Sequence, residues 1–352
     1  MSLGGTIGIL GGGQLGRMLA MSAADLGIRT HIYAPEERLP AADVAAVVTQ
    51  AAYDDSAALA RFAAAVDVVT CEFENVPAGT LALLEGLVPV RPGARAFAVA
   101  QDRVAEKRFV AGLGGRPAPF RAIDTRADLE AALSELGMPA ILKTRRFGYD
   151  GKGQMRICAL HEADAAFAAL GGRDLVLEAV VPFASEFSIL VARGADGSEA
   201  HYPPVANVHR GGILAESRAP AVLPAAMVAE ATDLVIRIAD ALAHVGVLAC
   251  EFFAGAQGAV FNEMAPRVHN SGHWTIEGAE TSQFQQHVRA ILGLPLGSTA
   301  MRCCEAVMHN LIGEEVNHAM DWLRRPGAAV HLYGKQQPLP GRKMGHVTIL
   351  RA

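Results

Sequence analysis

The sequence predicts an α/β protein that opens with a Rossmann-like parallel sheet, and three observations carry this. First, a β-rich run at residues 6–10 leads into Gly11-Gly12-Gly13-Gln14-Leu15-Gly16, then a helical stretch at 17–26 stopped by Gly27, then a strand at 28–33. Strand, glycine turn, helix and strand in that order open a parallel α/β unit. Second, the rhythm repeats, with a helix expected at 57–65 and a strand at 66–70. Third, 352 residues of which 51% are hydrophobic and 19% charged make a folded chain with room for two or three domains.

Composition narrows the function. A net charge of -5 argues against a general nucleic-acid binder, which needs a basic surface. No apolar run approaches the ~18 residues of a membrane helix. Residues 1–5 read as a loose leader without the pattern of a secretory signal, so a cytoplasmic protein without a membrane partner is expected. The five cysteines form no Cys-x-x-Cys pair, and four lie in apolar surroundings that suggest buried, reduced thiols.

The glycine turn matches the dinucleotide spelling Gly-x-Gly-x-x-Gly, but that spelling alone is weak. A nicotinamide enzyme carries an acid at the end of the second strand. Here that strand ends in Tyr33-Ala34-Pro35, with Glu36 only beyond the proline. What survives is a tight turn and a helix N-terminus able to seat an anion. Glu72-Phe73-Glu74-Asn75 follows the strand at 66–70, where open parallel sheets bind ligands. Glu72 and Glu74 are therefore candidate substrate contacts, and a polar loop with Asn75 capping a helix is the alternative. Residues 89–93 read as the exit from this domain.

A helix is expected over 95–112, with Asp102-Arg103 and Glu106-Lys107 on its charged side, and another over 128–137. Strands at 139–142 and 155–157 flank a loop that holds Lys143, Arg145, Arg146 and Lys152 together with Gly148, Gly151 and Gly153. Cations and freed backbone N–H groups suit a flexible cover over polyphosphate, while a solvated basic hairpin is the plain alternative. Strands follow at 175–179, ending near Glu178, and at 186–192, and after them comes Asn207-Val208-His209. The helix at 226–245 puts Val228, Ala231, Val235, Ile238, Leu242 and Val245 on one stripe. Glu230, Asp233, Arg237, Asp240 and His244 take the other face.

Two acids then appear in strands, Glu251 within 247–253 and Glu263 within 259–264, joined by the turn Gly255-Ala256-Gln257-Gly258. Pairing residue 251 with 263 puts both carboxylates on one face, where they repel unless a cation intervenes. Neither strand contains lysine or arginine, so a magnesium–nucleotide site is the reading. Arg267-Val268-His269-Asn270-Ser271-Gly272-His273 follows as a candidate substrate loop. Residues 293–297 mark another boundary. The tail carries Lys335, Arg342 and Lys343 around glycines, suited to a phosphate or to an exposed basic hairpin.

Taken together, these motifs resemble the ATP-grasp superfamily and, within it, the 5-(carboxyamino)imidazole ribonucleotide synthases of purine biosynthesis. The resemblance runs through 11–18, 72–75, 145–154, 262–267, 269–273 and the tail pair. It implies an ATP-grasp fold: a Rossmann-like (pre-ATP-grasp) domain at 1–95, an ATP-grasp domain at 96–295 with a lid at about 118–180, and a small C-terminal β-rich domain at 296–352. The implied reaction is ATP- and bicarbonate-dependent carboxylation of aminoimidazole ribonucleotide through carboxyphosphate.

By the same resemblance, Lys143 and Arg103 contact ATP phosphates, and Gly148, Tyr149, Asp150, Gly151, Lys152, Gly153 and Gln154 close over them. That loop is expected to be poorly ordered without nucleotide. Backbone from Glu178 through Ala179, Val180 and Val181 reads adenine, Glu186 holds the ribose, and His209 and Asn262 line the site. Glu251 and Glu263 look like magnesium ligands. Gln14, Leu15, Glu72, Tyr149, Asn270, Ser271, Lys335 and Arg342 look like contacts to the ribonucleotide, the last two to its phosphate. Residues 338–340 depart from the family's usual spelling between those tail cations. Arg267 would hold bicarbonate and His269 would act as base, with Lys143 completing the catalytic set. A homodimer is expected. The rivals are another ATP-grasp ligase, a nicotinamide oxidoreductase and a non-catalytic nucleotide-binding regulator.

Overall fold

A computed structural model describes residues 4–148 and 151–351, and among them the strands form three sheets. In the first sheet the order is Val47–Gln50, Arg29–Ala34, Thr6–Leu10, Val68–Cys71, all parallel. Ile7, Ile9 and Leu10 are almost wholly buried, as a strand covered on both faces requires. The edge strand Val47–Gln50 was not expected. Its Val47 and Val48 are each 41% exposed, and so short a run carries neither alternation nor a flanking turn signal. The strand order reverses direction at Thr6–Leu10, so the Gly11–Gly13 turn and Glu72 open on one crevice.

The single helix expected over 95–112 is two helices, Ala94–Ala100 and Arg103–Gly112. The break is local chemistry: Asp102 caps the second helix by accepting from the N–H groups of Val104 and Ala105. Its supposed charged side is buried, with Glu106 2% and Lys107 0% exposed. A second correction concerns the helix Ala225–Ala241. It stops before Ala243, which has φ +46°, and His244 lies beyond it, buried instead of on the solvent face. Of the cysteines, only Cys71 and Cys250 are buried; Cys158 and Cys304 are exposed.

The second sheet is small and antiparallel, ordered Phe120–Ile123, Leu175–Ala179, Ala140–Thr144, Gln154–Ile157. Its apolar face packs on the helices Arg126–Leu136 and Ala163–Ala169 through Leu129, Leu133, Ala163 and Ala166. The third sheet has nine strands, running from Gly258–Ala265 and Gly246–Gly255 through Glu186–Arg193, Val205–Arg210 and Ile213–Ala219. It continues without interruption into the tail strands Glu305–Ile312, Lys343–Arg351 and Ala328–Leu332. The first sheet is not independent of the third. Ile7, Ile9, Leu15 and Met18 share one core with Ala192, Val247, Phe284 and Val288. Each of these side chains larger than alanine contributes ~1.5–3 kcal/mol when fully buried, so this seam holds the crevice rigidly against the central sheet.

Candidate active site

The hairpin decides where the two acids stand. Gly255 pairs with Gly258 across its turn, and the register that follows sets Glu251 directly opposite Glu263, past a bulge at Glu251/Phe252. The absence of cations from these strands proves a poor guide, because Arg103 reaches Glu263 from another element, Nη1 to Oε2 at 2.9 Å. Asp102 starts the second helix at Arg103, so the cap that broke the expected helix also aims this guanidinium. Burial opposes ionisation of Glu263, but Arg103 outweighs it and holds that carboxyl well below the usual range. Burial and then the charge of Glu263 push Glu251 upward.

One arginine therefore leaves the acid pair under-neutralised, and a divalent cation would relieve it. Among the described residues no cluster of three His, Cys, Asp or Glu could hold a metal ion alone. Two hard oxygen donors fit magnesium if a polyphosphate supplies further oxygens.

A cleft of about 470 Å³ opens above this pair. From the first domain it takes Gln14, Leu15 and Glu72; from the loop Gly148; from the central sheet His209, Glu251 and Glu263; and beyond them Arg103, Arg267, His269 and Asn270. Residues far apart in the chain thus converge on one cleft. Other expected residues stand away from its lining. Lys143 donates to Glu178 Oε2 at 2.8 Å, and Lys107 approaches Glu178 Oε1 at 3.2 Å. Burial works against the Glu178 carboxylate, yet the two ammonium groups bring its pKa down to about 2. Burial also lowers Lys143, against the pull of Glu178.

Glu186 pairs with His209. Asn262 gives its main-chain oxygen to Lys107 at 3.1 Å, and Ala179 donates its N–H to Pro119. Val180 and Val181 continue from Ala179 at the end of its strand. In the tail, Lys335 donates to the Lys343 carbonyl and Arg342 to that of Gln337, while Lys343 is the cation that lines the cleft.

The loop is tied down at several points. Asp102 takes Arg145 in a two-point contact of 2.7 and 3.2 Å, and Arg103 Nη2 donates to the Gly148 carbonyl at 3.2 Å. Gly151 lies against Gly211 and Gly212, and a Cβ at Gly153 would meet Thr144 Oγ1 at 2.6 Å. Lys152 and Gln154 lie outside the cleft lining, and Gln154 begins the return strand. Tyr149 and Asp150, expected at the phosphates and the second substrate, lie outside the described residues.

The anion seat of the glycine turn is filled by the chain itself. Glu72 accepts from Gly13 N–H at 2.8 Å and Gly16 N–H at 3.2 Å. Burial raises the pKa of Glu72, with these two bonds opposing. A ligand phosphate at that helix N-terminus would have to displace it.

Arg267 gives Nε to Glu74 and Nη1 to the Val268 carbonyl at 2.9 Å. Burial opposes its charge and Glu74 more than restores it. His269 faces Glu251, Nε2 to Oε1 at 3.4 Å, and its Nδ1 caps the short turn Asn270–Gly272 by accepting from Ser271. Burial, with Arg267 and Lys343 nearby, drops its pKa to about 3. An imidazole so held is neutral, and its Nδ1 is already engaged by Ser271. Asn270 lines the cleft, but Ser271 is fully buried beneath it. Glu74, Asn75, Gln101, Arg145, Phe147 and Lys343 also line the cleft. Glu74 is one of the two acids the sequence offers as a substrate contact and Arg145 is one of its loop cations, while the basic tail run could have pointed to Lys343.

Three family models match the chain: a ribonucleotide synthetase preATP-grasp domain over residues 5–101, an ATP-grasp domain over 108–284, and a phosphoribosylaminoimidazole carboxylase C-terminal domain over 306–352. The chain is 47% identical over 351 residues to N5-carboxyaminoimidazole ribonucleotide synthase of Brucella melitensis, covering 99% of this chain and 97% of that one. It superposes on the crystal structure of the Thermus thermophilus synthetase with a TM-score of 0.93 at 50% identity, covering 98% of this chain and 93% of that one. An Aspergillus clavatus synthase solved with ADP and 5-aminoimidazole ribonucleotide gives a TM-score of 0.93 at 32% identity, covering 99% and 94%.

Proposed function

The chain belongs to the N5-carboxyaminoimidazole ribonucleotide synthase family of ATP-grasp ligases, and from that membership we propose that it carboxylates 5-aminoimidazole ribonucleotide with ATP and bicarbonate. The observation that supports this reading best is the cleft itself. It joins a facing carboxylate pair, a tethered cationic loop and a half-buried Arg267 with the crevice of the first domain.

Bicarbonate is a poor electrophile, and phosphorylation by ATP makes it carboxyphosphate. Lys143 and Arg103 would offset charge on the transferred phosphoryl group, with Gly148 to Gln154 as the cover that excludes water. Glu251 and Glu263 would hold magnesium, which when bound supplies charge neutralisation at the phosphates. Glu186 and His209 would take the nucleoside end, with Asn262 and the backbone at 178–181 around the base. Arg267 would hold bicarbonate and the mixed anhydride. The exocyclic amine attacks the carboxyl carbon, or carbon dioxide released from it, as the bond to phosphate breaks. The departing phosphate is basic enough to take the amine proton.

Gln14, Leu15, Glu72, Asn270 and the tail cations would bind the ribonucleotide. The proposal includes domains at 1–95, 96–295 and 296–352, a homodimer and a cytoplasmic setting. No helix among the described residues is long and apolar enough to cross a membrane.

The test is ADP release with ATP, aminoimidazole ribonucleotide and one added acid at a time. Bicarbonate alone should support amine-dependent turnover, and turnover with formate instead would sink the assignment. Glu263→Gln should lose about 100-fold or more in turnover; activity near wild type would remove the metal role. Light scattering that shows a monomer would remove the dimer.

A further inference from the structure

Ser271 follows His269 and Asn270, which line the cleft, yet it is fully buried and outside the cleft lining. Its hydroxyl lies 2.9 Å from His269 Nδ1 and 2.7 Å from Ser188 Oγ. Ser188 in turn receives Asn207 Nδ2 at 3.1 Å, and Asn207 Oδ1 receives the Ser217 hydroxyl at 2.9 Å. Ser188, Asn207 and Ser217 stand on three consecutive strands of the central sheet, and all are buried. Such a chain of hydroxyls and one amide can run in either direction as far as the side chains alone decide.

A peptide N–H removes the ambiguity. The main-chain N–H of Ser271 points at His269 Nδ1 at 3.3 Å, and a peptide nitrogen can only donate. Nδ1 accepts in this arrangement, and the Ser271 hydroxyl at 2.9 Å is the closer and stronger of its two donors. The Ser271 hydroxyl can then donate to Nδ1, Ser188 to Ser271, the Asn207 amide to Ser188, and Ser217 to the Asn207 oxygen. Each donor finds one acceptor, and the neutral ring carries its proton on Nε2, the nitrogen that faces Glu251 and the cleft.

We propose that Ser271, Ser188, Asn207 and Ser217 are positioning residues that hold His269 in the Nε2–H tautomer, so that it meets the anion beside Arg267 as a hydrogen-bond donor and not as a base. The inference rests on the carboxylation reading for the identity of that anion, bicarbonate or carboxyphosphate. A fixed donor aimed where charge accumulates helps most when it need not reorient during the reaction. The relay supplies that by linking the ring to three strands.

The experiment is 15N NMR of the full chain labelled at histidine, with the His269 signals assigned by their loss in His269→Gln. The wild-type protein should show one neutral tautomer, protonated at Nε2; protonation at Nδ1 would overturn the proposal without any further variant. Asn207→Asp offers only acceptors, so it draws both the Ser188 and Ser217 hydroxyls toward itself and turns Ser271 away from the ring. This variant should show a second, Nδ1–H population and lose about 10-fold in kcat with KM for ATP unchanged. An unchanged tautomer with unchanged kcat would overturn the relay. Ser217→Ala removes the outermost donor with less disturbance and should shift both readouts in the same direction. A wild-type protein with the Nε2–H tautomer but no bicarbonate-dependent ADP release would retain the relay and remove the carboxylation reading instead.

Discussion

Glu178 shows at the scale of one residue how the site is held together. Its carboxylate is 3% exposed and shared by Lys143 and Lys107, with each oxygen facing one ammonium group. Breaking a buried pair by deleting one partner leaves an uncompensated charge, which costs ~3–5 kcal/mol. Glu178→Gln should lower stability by about that much in urea unfolding at pH 7. A loss under about 1 kcal/mol would mean that the two lysines find other partners. The pH dependence has a definite sign. A carboxyl depressed to about 2 in the folded protein titrates near its ordinary value when unfolded. The stability it contributes, about 3 kcal/mol, is thus complete above roughly pH 4.5 and lost as pH falls toward 2. Unfolding curves at pH 7, 4 and 3 should show this loss in wild type and a much smaller one in Glu178→Gln. Nothing in the sequence distinguishes Glu178 or Lys107 from surface charges, since their partners come from other elements.

The loop and the hairpin make the same contrast at the scale of elements. The carboxylate pair was legible because the Gly255–Gly258 turn fixes a register, and a register fixes a face. The helix over 95–112 was not, because Asp102 reads as one more helical charge until Val104, Ala105 and Arg145 are seen to bind it. That break aims Arg103 at Glu263. The loop between the strands Ala140–Thr144 and Gln154–Ile157 was legible from its glycines, but what they approach was not. Gly151 has φ +76°, and a Cβ there would lie 3.0 Å from the Gly211 carbonyl and 3.3 Å from Gly212 Cα. Both neighbours are backbone and cannot rotate away. Gly151→Ala should therefore disfavour the closed loop by ~1–2 kcal/mol and raise KM for ATP about 10-fold. Thermal stability should barely change, since the loop adds little to any core. A KM equal to wild type would show that the approach to Gly211 is not needed for turnover.

On the scale of the whole molecule, the C-terminal segment is part of the central sheet. Glu305–Ile312 pairs with Ile213–Ala219 over Glu216 to Ala219, so deleting residues 305–352 would uncover that four-residue strand edge and the cores around Met308 and Val347. Exposed edges of this kind recruit other chains. The truncated protein should elute as aggregate in size-exclusion chromatography, and a soluble, folded truncation would contradict this account. It would also lack Lys343, the tail cation that lines the cleft. By itself the sequence determined the local matters: the parallel α/β opening, the glycine loop, the paired acids and the order of motifs that marks the family. These follow from backbone freedom, side-chain alternation and turn chemistry, all of which act between near neighbours. Only the tertiary structure decided which groups answer one another across the chain. It gave the seat of the glycine turn to Glu72, set Arg103 against Glu263, and ran a line of buried hydroxyls to His269. Charge and hydrogen bonding act over a few ångströms of space, and residues that far apart in sequence acquire such distances only when the sheets pack.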